Sequence, residues 1–337
     1  MTTKPKVLLA MDRKLVEQIF NKEDFEFLTS FSDTTRIDSI PDTVDASFIK
    51  RNIQDKDVCI SCWGTPPFTK DILDEANKLR LIAHSAGSVK PILTDHVWKN
   101  NVKVTSATPG IATAVAEITL GLMIVSLKRV VQFNALIHKG DWRVEEEISK
   151  AKSLYNVTIG VVGASYVGRN VIKLLKAFTV DILLYDPYVS QDEAQALGVS
   201  LTSLEELLSK SDVVSLHAPI IPETYHMLNR HNIKLLQPGA ILINTAIGPL
   251  IDENALIERL KKGDVFAYLD RTDPEPPSPD NPLRTLPNVI LTPHIAGGSA
   301  INDKWRQGNY ISHQIHKFVT QNRLDYEITR EMLSRIA

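Results

Sequence analysis

Residues 157–186 read VTIGVVGASYVGRNVIKLLKAFTVDILLYD. An apolar run, a glycine turn, an amphipathic stretch, a second apolar run and an acid follow one another. That order predicts strand, turn, helix and strand, the unit that binds a dinucleotide. The turn is Gly163-Ala-Ser-Tyr-Val-Gly168. In the GxGxxG pattern the first glycine permits the tight turn, the second lets backbone approach the pyrophosphate, and the third lets helix pack on strand. Ser165 stands at the middle glycine's place, with Tyr166 and Val167 behind it. A small hydroxyl residue still fits there and its Oγ can reach a phosphate. The helix N-terminus offers N–H groups and a positive dipole end to the anion. Asp186 closes the second strand, where a carboxylate accepts from the ribose hydroxyls and repels a 2′-phosphate. The expected cofactor is therefore NAD rather than NADP.

Outward from this unit, strands are predicted at 212–216, 240–244, 265–269 and 289–291, with helix-like segments between them. Such alternation implies a parallel, doubly wound sheet. Upstream, KVLLAM, VCISCW, LRLIAHS and VKVTSA recur within residues 6–104 as the short strands of a smaller α/β unit. The stretch 108–136 has no internal break and predicts one long, largely buried helix, with Thr108 as cap and Pro109 in its first turn. The tail 300–320 predicts an amphipathic helix returning to the first unit. The proline-rich TDPEPPSPDNP (272–282) follows a strand end, so it is read as a wall of the active site rather than a plain surface loop.

The 337 residues suffice for two domains. A net charge of −2 gives no footprint for nucleic acid or an anionic membrane. No apolar run is read as approaching the ~18–20 residues that span a bilayer, and the N-terminus lacks a signal-peptide layout. A cytoplasmic chain with no nucleic-acid and no membrane partner is expected. The two cysteines, Cys59 and Cys62, form a CxxC in a strand-like run. A redox pair normally opens a helix and a zinc site needs further ligands, so they are read as core residues with no metal.

Several blocks, in order and at matching spacing, resemble the D-isomer-specific 2-hydroxyacid dehydrogenases. They are LRLIAHSAGSV (79–89), VAEITLGLM (115–123), the glycine turn, SDVVSLHAPIIPET (211–224), LLQPGAILINTA (235–246), LDRTDPEP (269–276) and NVILTPHIAGG (288–298). The resemblance implies a Rossmann-type NAD-binding domain (107–299) inserted in a smaller, flavodoxin-like substrate domain (1–106 and 300–337), with a catalytic cleft between them. It implies reversible hydride transfer between NAD and a D-2-hydroxy or 2-keto acid. His294 corresponds to the acid–base histidine and Glu275 to the carboxylate that orients it. Asp270 corresponds to a residue facing the nicotinamide carboxamide, with a strand-end cap as the plainer alternative. Pro219 and Thr224 correspond to the adenosine loop, and Thr245, Ala246 and Gly297 to further cofactor contacts. The turn Ser85-Ala86-Gly87-Ser88 corresponds to the loop whose N–H groups hold the substrate carboxylate. His217 is read as shaping the loop over the cofactor. The helix after residue 107 resembles the family's dimer arm, which implies a homodimer.

Two positions depart from the family. Its NTARG block reads Asn244-Thr245-Ala246-Ile247-Gly248 here, so the arginine that forks onto the substrate carboxylate is Ile247. Beside Asp270, where the family has an apolar residue, stands Arg271. Arg271 compensates for the lost charge if the chain changes direction at the strand end; strict alternation points it away from Asp270's face. Lys90 and Lys304 are weaker candidates. Three readings stay open: a working dehydrogenase with a shifted substrate, a vestigial one, and a non-catalytic NAD-gated binding protein.

Overall fold

The computed structural model describes residues 4–336. The chain divides into two compact units, one of residues up to Ile111 together with Gly297 onward, the other Ala112–Ala296.

The first unit carries five parallel strands: β1 (Lys6–Ala10), β2 (Asp33–Thr34), β3 (Val58–Ser61), β4 (Leu81–His84) and β5 (Lys103–Ser106). Their order is β2-β1-β3-β4-β5, the flavodoxin-like arrangement. Every residue of β3 and β4 is buried. Parallel strands covered on both faces read as continuous apolar runs, which is why they stand out in the sequence. Helix Ile301–Gln321 packs on helices Arg13–Ile19 and Lys22–Phe31, burying Ile311, Ile315 and Phe318. Cys59 and Cys62 are free and buried; burial raises both thiol pKa values, that of Cys62 to about 12. They act as core residues.

The second unit holds seven parallel strands: β6 (Tyr155–Val162), β7 (Thr179–Tyr185), β8 (Ser200–Leu201), β9 (Val213–Leu216), β10 (Ile241–Asn244), β11 (Phe266–Leu269) and β12 (Val289–Leu291). Their order is β12-β11-β10-β9-β6-β7-β8. The chain starts in the middle at β6, runs outward through β7 and β8, then returns to β9 on β6's other side. That reversal between β6 and β9 is the switch point at which doubly wound sheets bind ligands. Ser190 and Ser203 cap the helices that follow them, each accepting from the N–H of a glutamate three residues on. These S-x-x-E patterns fix helix starts locally.

Two expectations are corrected. The helix expected over 108–136 is two, Thr108–Leu127 and Val130–His138, broken where Arg129 adopts a left-handed φ of 54°. The guanidinium of Arg129 pairs with Glu147 and lies 4.7 Å from the Phe266 ring centroid, and these distant partners hold the break. Also, Thr108–Leu127 is by length and composition apolar enough to cross a bilayer, contrary to the expectation that no run approaches that length. Ala116, Met123 and Leu127 from it enter the core of the second unit.

Candidate active site

The glycine turn sits at the carboxyl end of β6. Gly163 has φ +94°, and a Cβ there would lie 2.8 Å from the Ala218 nitrogen. A Cβ on Gly168 would lie 2.0 Å from the Gly163 carbonyl oxygen, so only glycine lets the helix Tyr166–Leu175 start this close to β6. Ser165 caps that helix, its Oγ accepting from the Gly168 N–H at 3.4 Å. The hydroxyl hydrogen stays available to a phosphate, so capping and anion binding are compatible. Tyr166 and Val167 form the helix's first turn. Asp186, just past β7, is brought to the turn: Oδ2 accepts from the Ala164 N–H at 2.7 Å and Oδ1 from the Tyr188 N–H at 2.8 Å. Each oxygen keeps a lone pair for a ribose hydroxyl. A cradle that any Cβ would fill, a helix start and a fixed carboxylate fit a dinucleotide.

Beneath the turn lies His217, fully buried, its Nε2 2.9 Å from Ser215 Oγ. Burial lowers its pKa to about 3, so the ring is neutral and structural. Thr224 closes its own loop, donating to the Pro219 carbonyl at 2.7 Å and accepting from the Ile221 N–H. Thr245 Oγ1 is 3.0 Å from Thr119 Oγ1, and the Ala246 N–H donates to Asn244 Oδ1.

The strand ends of β11 and β12 converge on one cluster. Asp270 is buried, and its carboxylate accepts three hydrogen bonds from the segment after β12. Oδ1 accepts from Thr292 Oγ1 (2.6 Å) and the Ile295 N–H (2.9 Å), and Oδ2 from the Ala296 N–H (2.9 Å). These three bonds tie the segment after β12 to the end of β11, and Oδ2 accepts only one of them. Thr292 is its partner, and in the sequence only its place two residues before His294 marks it. His294, in the held turn, has φ +53° and donates its backbone N–H to the Asp270 carbonyl at 3.1 Å. Its Nδ1 is 2.8 Å from Glu275 Oε1, so the structure brings the two residues of the expected pair together.

Arg271 joins the same cluster. Its Nε donates to Glu275 Oε2 at 2.6 Å and its Nη1 lies 3.0 Å from His294 Nε2. The strand ends at Leu269, so alternation no longer governs where residue 271 points. Ile247 is half-buried against the apolar core around β9 and β10, and its carbonyl accepts from Asn244 Nδ2 at 2.9 Å. In the other unit, Ser85 of the Ser85–Ser88 turn is buried, its N–H bonded to the Ser61 carbonyl at 2.7 Å. Gly87 accepts from Thr108 Oγ1 at 3.2 Å. Gly297 opens the returning segment of that unit.

A glycine turn at the switch point of a doubly wound sheet, with a histidine–carboxylate pair at neighbouring strand ends, defines a nucleotide-binding protein of the dehydrogenase type. Residues 120–296 match the family model described as "D-isomer specific 2-hydroxyacid dehydrogenase, NAD binding domain", and the chain belongs to that family. It is 38% identical over 79% of its length to a D-3-phosphoglycerate dehydrogenase of Methanocaldococcus jannaschii, of which the match covers 50%. The chain thus spans about half the length of that relative. It is 35% identical to a glyoxylate reductase of Korarchaeum cryptofilum, covering 74% of this chain and 76% of that one. A phosphoglycerate oxidoreductase structure from Rhizobium etli superposes with a TM-score of 0.82 over 97% of this chain and 99% of the other, at 21% identity, and shares the fold. The second unit is an NAD-binding domain.

Proposed function

We propose that this chain catalyses the reversible, NAD-dependent reduction of a 2-keto acid to the D-2-hydroxy acid, with His294 and Glu275 as the acid–base pair. The observation that carries the reading is the 2.8 Å contact between His294 Nδ1 and Glu275 Oε1 beside the glycine turn's own sheet. NAD, when bound, supplies or accepts the hydride at the substrate's C2. Gly163–Gly168 receive its pyrophosphate and Asp186 its adenosine ribose. In reduction, the pair of electrons of the C2=O π bond moves onto oxygen, and His294 Nε2 donates its proton there. In oxidation the same nitrogen takes that proton back. The Glu275 carboxylate at Nδ1 holds the ring's orientation and leaves Nε2 as the nitrogen for proton exchange. Asp270 keeps the turn carrying His294 in place.

In this reading residues 1–106 and 300–337 form the substrate domain and 107–299 carry NAD, in a cytoplasmic homodimer. Exposed Ile124, Val130, Val131, Ile137 and Trp142, on and just after the two helices that follow Thr108, support the dimer. Sedimentation at micromolar concentration tests it.

The activity is tested by NADH oxidation with glyoxylate, pyruvate, hydroxypyruvate and phenylpyruvate, beside an NADH-binding titration. His294→Ala is expected to lower turnover by about 10²–10⁴-fold while NADH still binds. Tight NADH binding with no turnover on any acid would reject this reading in favour of a vestigial enzyme or an NAD-gated binding protein.

A further inference from the structure

A guanidinium carries only donors. The 3.0 Å contact between Arg271 Nη1 and His294 Nε2 therefore makes Nε2 an acceptor, and the ring proton sits on Nδ1, toward Glu275. Nε2 is then the nitrogen that exchanges a proton with substrate, and Arg271 stands at it. Once Nε2 is protonated, two donors face each other and the contact breaks unless an acceptor enters between them. The substrate's C2 oxygen is such an acceptor. Charge agrees: Arg271⁺, Glu275⁻ and protonated His294⁺ sum to +1, which a monoanionic 2-keto acid cancels. Contacts with Glu275 and His294 use two of the five guanidinium N–H donors, leaving three for a ligand.

The neighbouring strand end explains the location. β10 and β11 pair in parallel, Asn244 opposite Leu269. A Cβ on Gly248 would lie 2.1 Å from the Thr272 carbonyl oxygen, so the Ile247-Gly248 backbone abuts the segment just after Arg271. Residues 247 and 271 thus leave adjacent strand ends, whose spacing is about 4.8 Å. A charge absent from the first is present one strand over. We propose that Arg271 is a substrate-binding residue, its guanidinium taking the carboxylate and C2 oxygen of a 2-keto acid. This rests on the acid–base reading of His294 given above.

Oxamate, an unreactive isostere of pyruvate, is titrated into the NADH complex of the full chain, beside neutral oxamide. Arg271→Ala is expected to weaken oxamate at least 30-fold, with NADH affinity within twofold and oxamide unaffected; Arg271→Lys falls between. On the best acid of the panel, kcat/KM of Arg271→Ala drops about 10²–10³-fold. The preference for that acid over its methyl ester disappears. A residue that only orients His294 would lower acid and ester alike, and that result, or unchanged oxamate binding, overturns the proposal. So does a wild-type NADH complex that binds neither oxamate nor any panel acid. The two readings fail separately. Turnover that survives His294→Ala removes the acid–base assignment, and Arg271-dependent oxamate binding still upholds the anion site. Turnover that needs His294 but not Arg271 does the reverse.

Discussion

Asp270 shows how one side chain serves two strand ends. It is 4% exposed, and removing its carboxylate leaves the Ile295 and Ala296 N–H groups without their acceptor. Asp270→Ala is expected to destabilise the fold by about 2–4 kcal/mol, read as a lower urea midpoint, because a buried donor left unpaired loses ~1–3 kcal/mol. The same variant should lose most turnover, since His294 depends on that turn for its φ of +53°. Asp270→Asn, which retains one acceptor oxygen, should fall between. A variant with wild-type stability would remove Asp270 from this role. The pairing of His294 with Glu275 was expected from the resemblance of TPHIAGG and DPEP to family blocks, and the two side chains do meet. The partners of Asp270 were not legible, because a carboxylate at a strand end serves a ligand or a loop equally well until the loop's path is known. Arg271 was half legible: its oddity is plain in the sequence, but its direction depends on where β11 stops.

Elements were legible in proportion to how locally they are determined. β9 and β10 are buried throughout and read as mostly apolar runs, each with a single polar residue, and their bounds fell within a residue of those expected. Serine caps with a glutamate three residues on mark helix starts from sequence alone. The break at Arg129 was not readable, because Glu147 and Phe266, far along the chain, hold it. The glycine turn lies between these cases, its identity local and its tightness tertiary. Gly168→Ala puts a methyl where only 2.0 Å separates it from the Gly163 carbonyl oxygen, backbone that has no rotamer to yield. The helix must back away from β6, taking its N–H groups from the pyrophosphate position. NADH affinity, followed by nicotinamide fluorescence, should fall at least tenfold, and stability by roughly 1–3 kcal/mol. Unchanged affinity would mean that the dinucleotide does not use this turn.

Among the described residues each unit buries one histidine, His84 in the first and His217 in the second. Burial lowers their pKa values to about 4 and about 3. His84 Nδ1 lies 3.0 Å from Ser61 Oγ and His217 Nε2 2.9 Å from Ser215 Oγ, neutral partners that give an imidazolium no counter-charge. The unfolded chain holds histidines near the ordinary value of 6.5. Above that pH both states are neutral and neither histidine affects stability. As pH falls through 6.5 the unfolded state binds protons that the native state refuses, so stability drops, and it goes on dropping until the native groups titrate near 4 and 3. Between pH 7.5 and pH 5 each histidine should remove about 2 kcal/mol from its own unit. Urea unfolding of the full chain at the two pH values, with intrinsic fluorescence as probe, checks the loss. His217→Gln, which cannot take a proton, should flatten the pH dependence of the second unit and leave that of the first unchanged. If the variant keeps the full dependence, that histidine is already charged, or already hydrated, in the native protein.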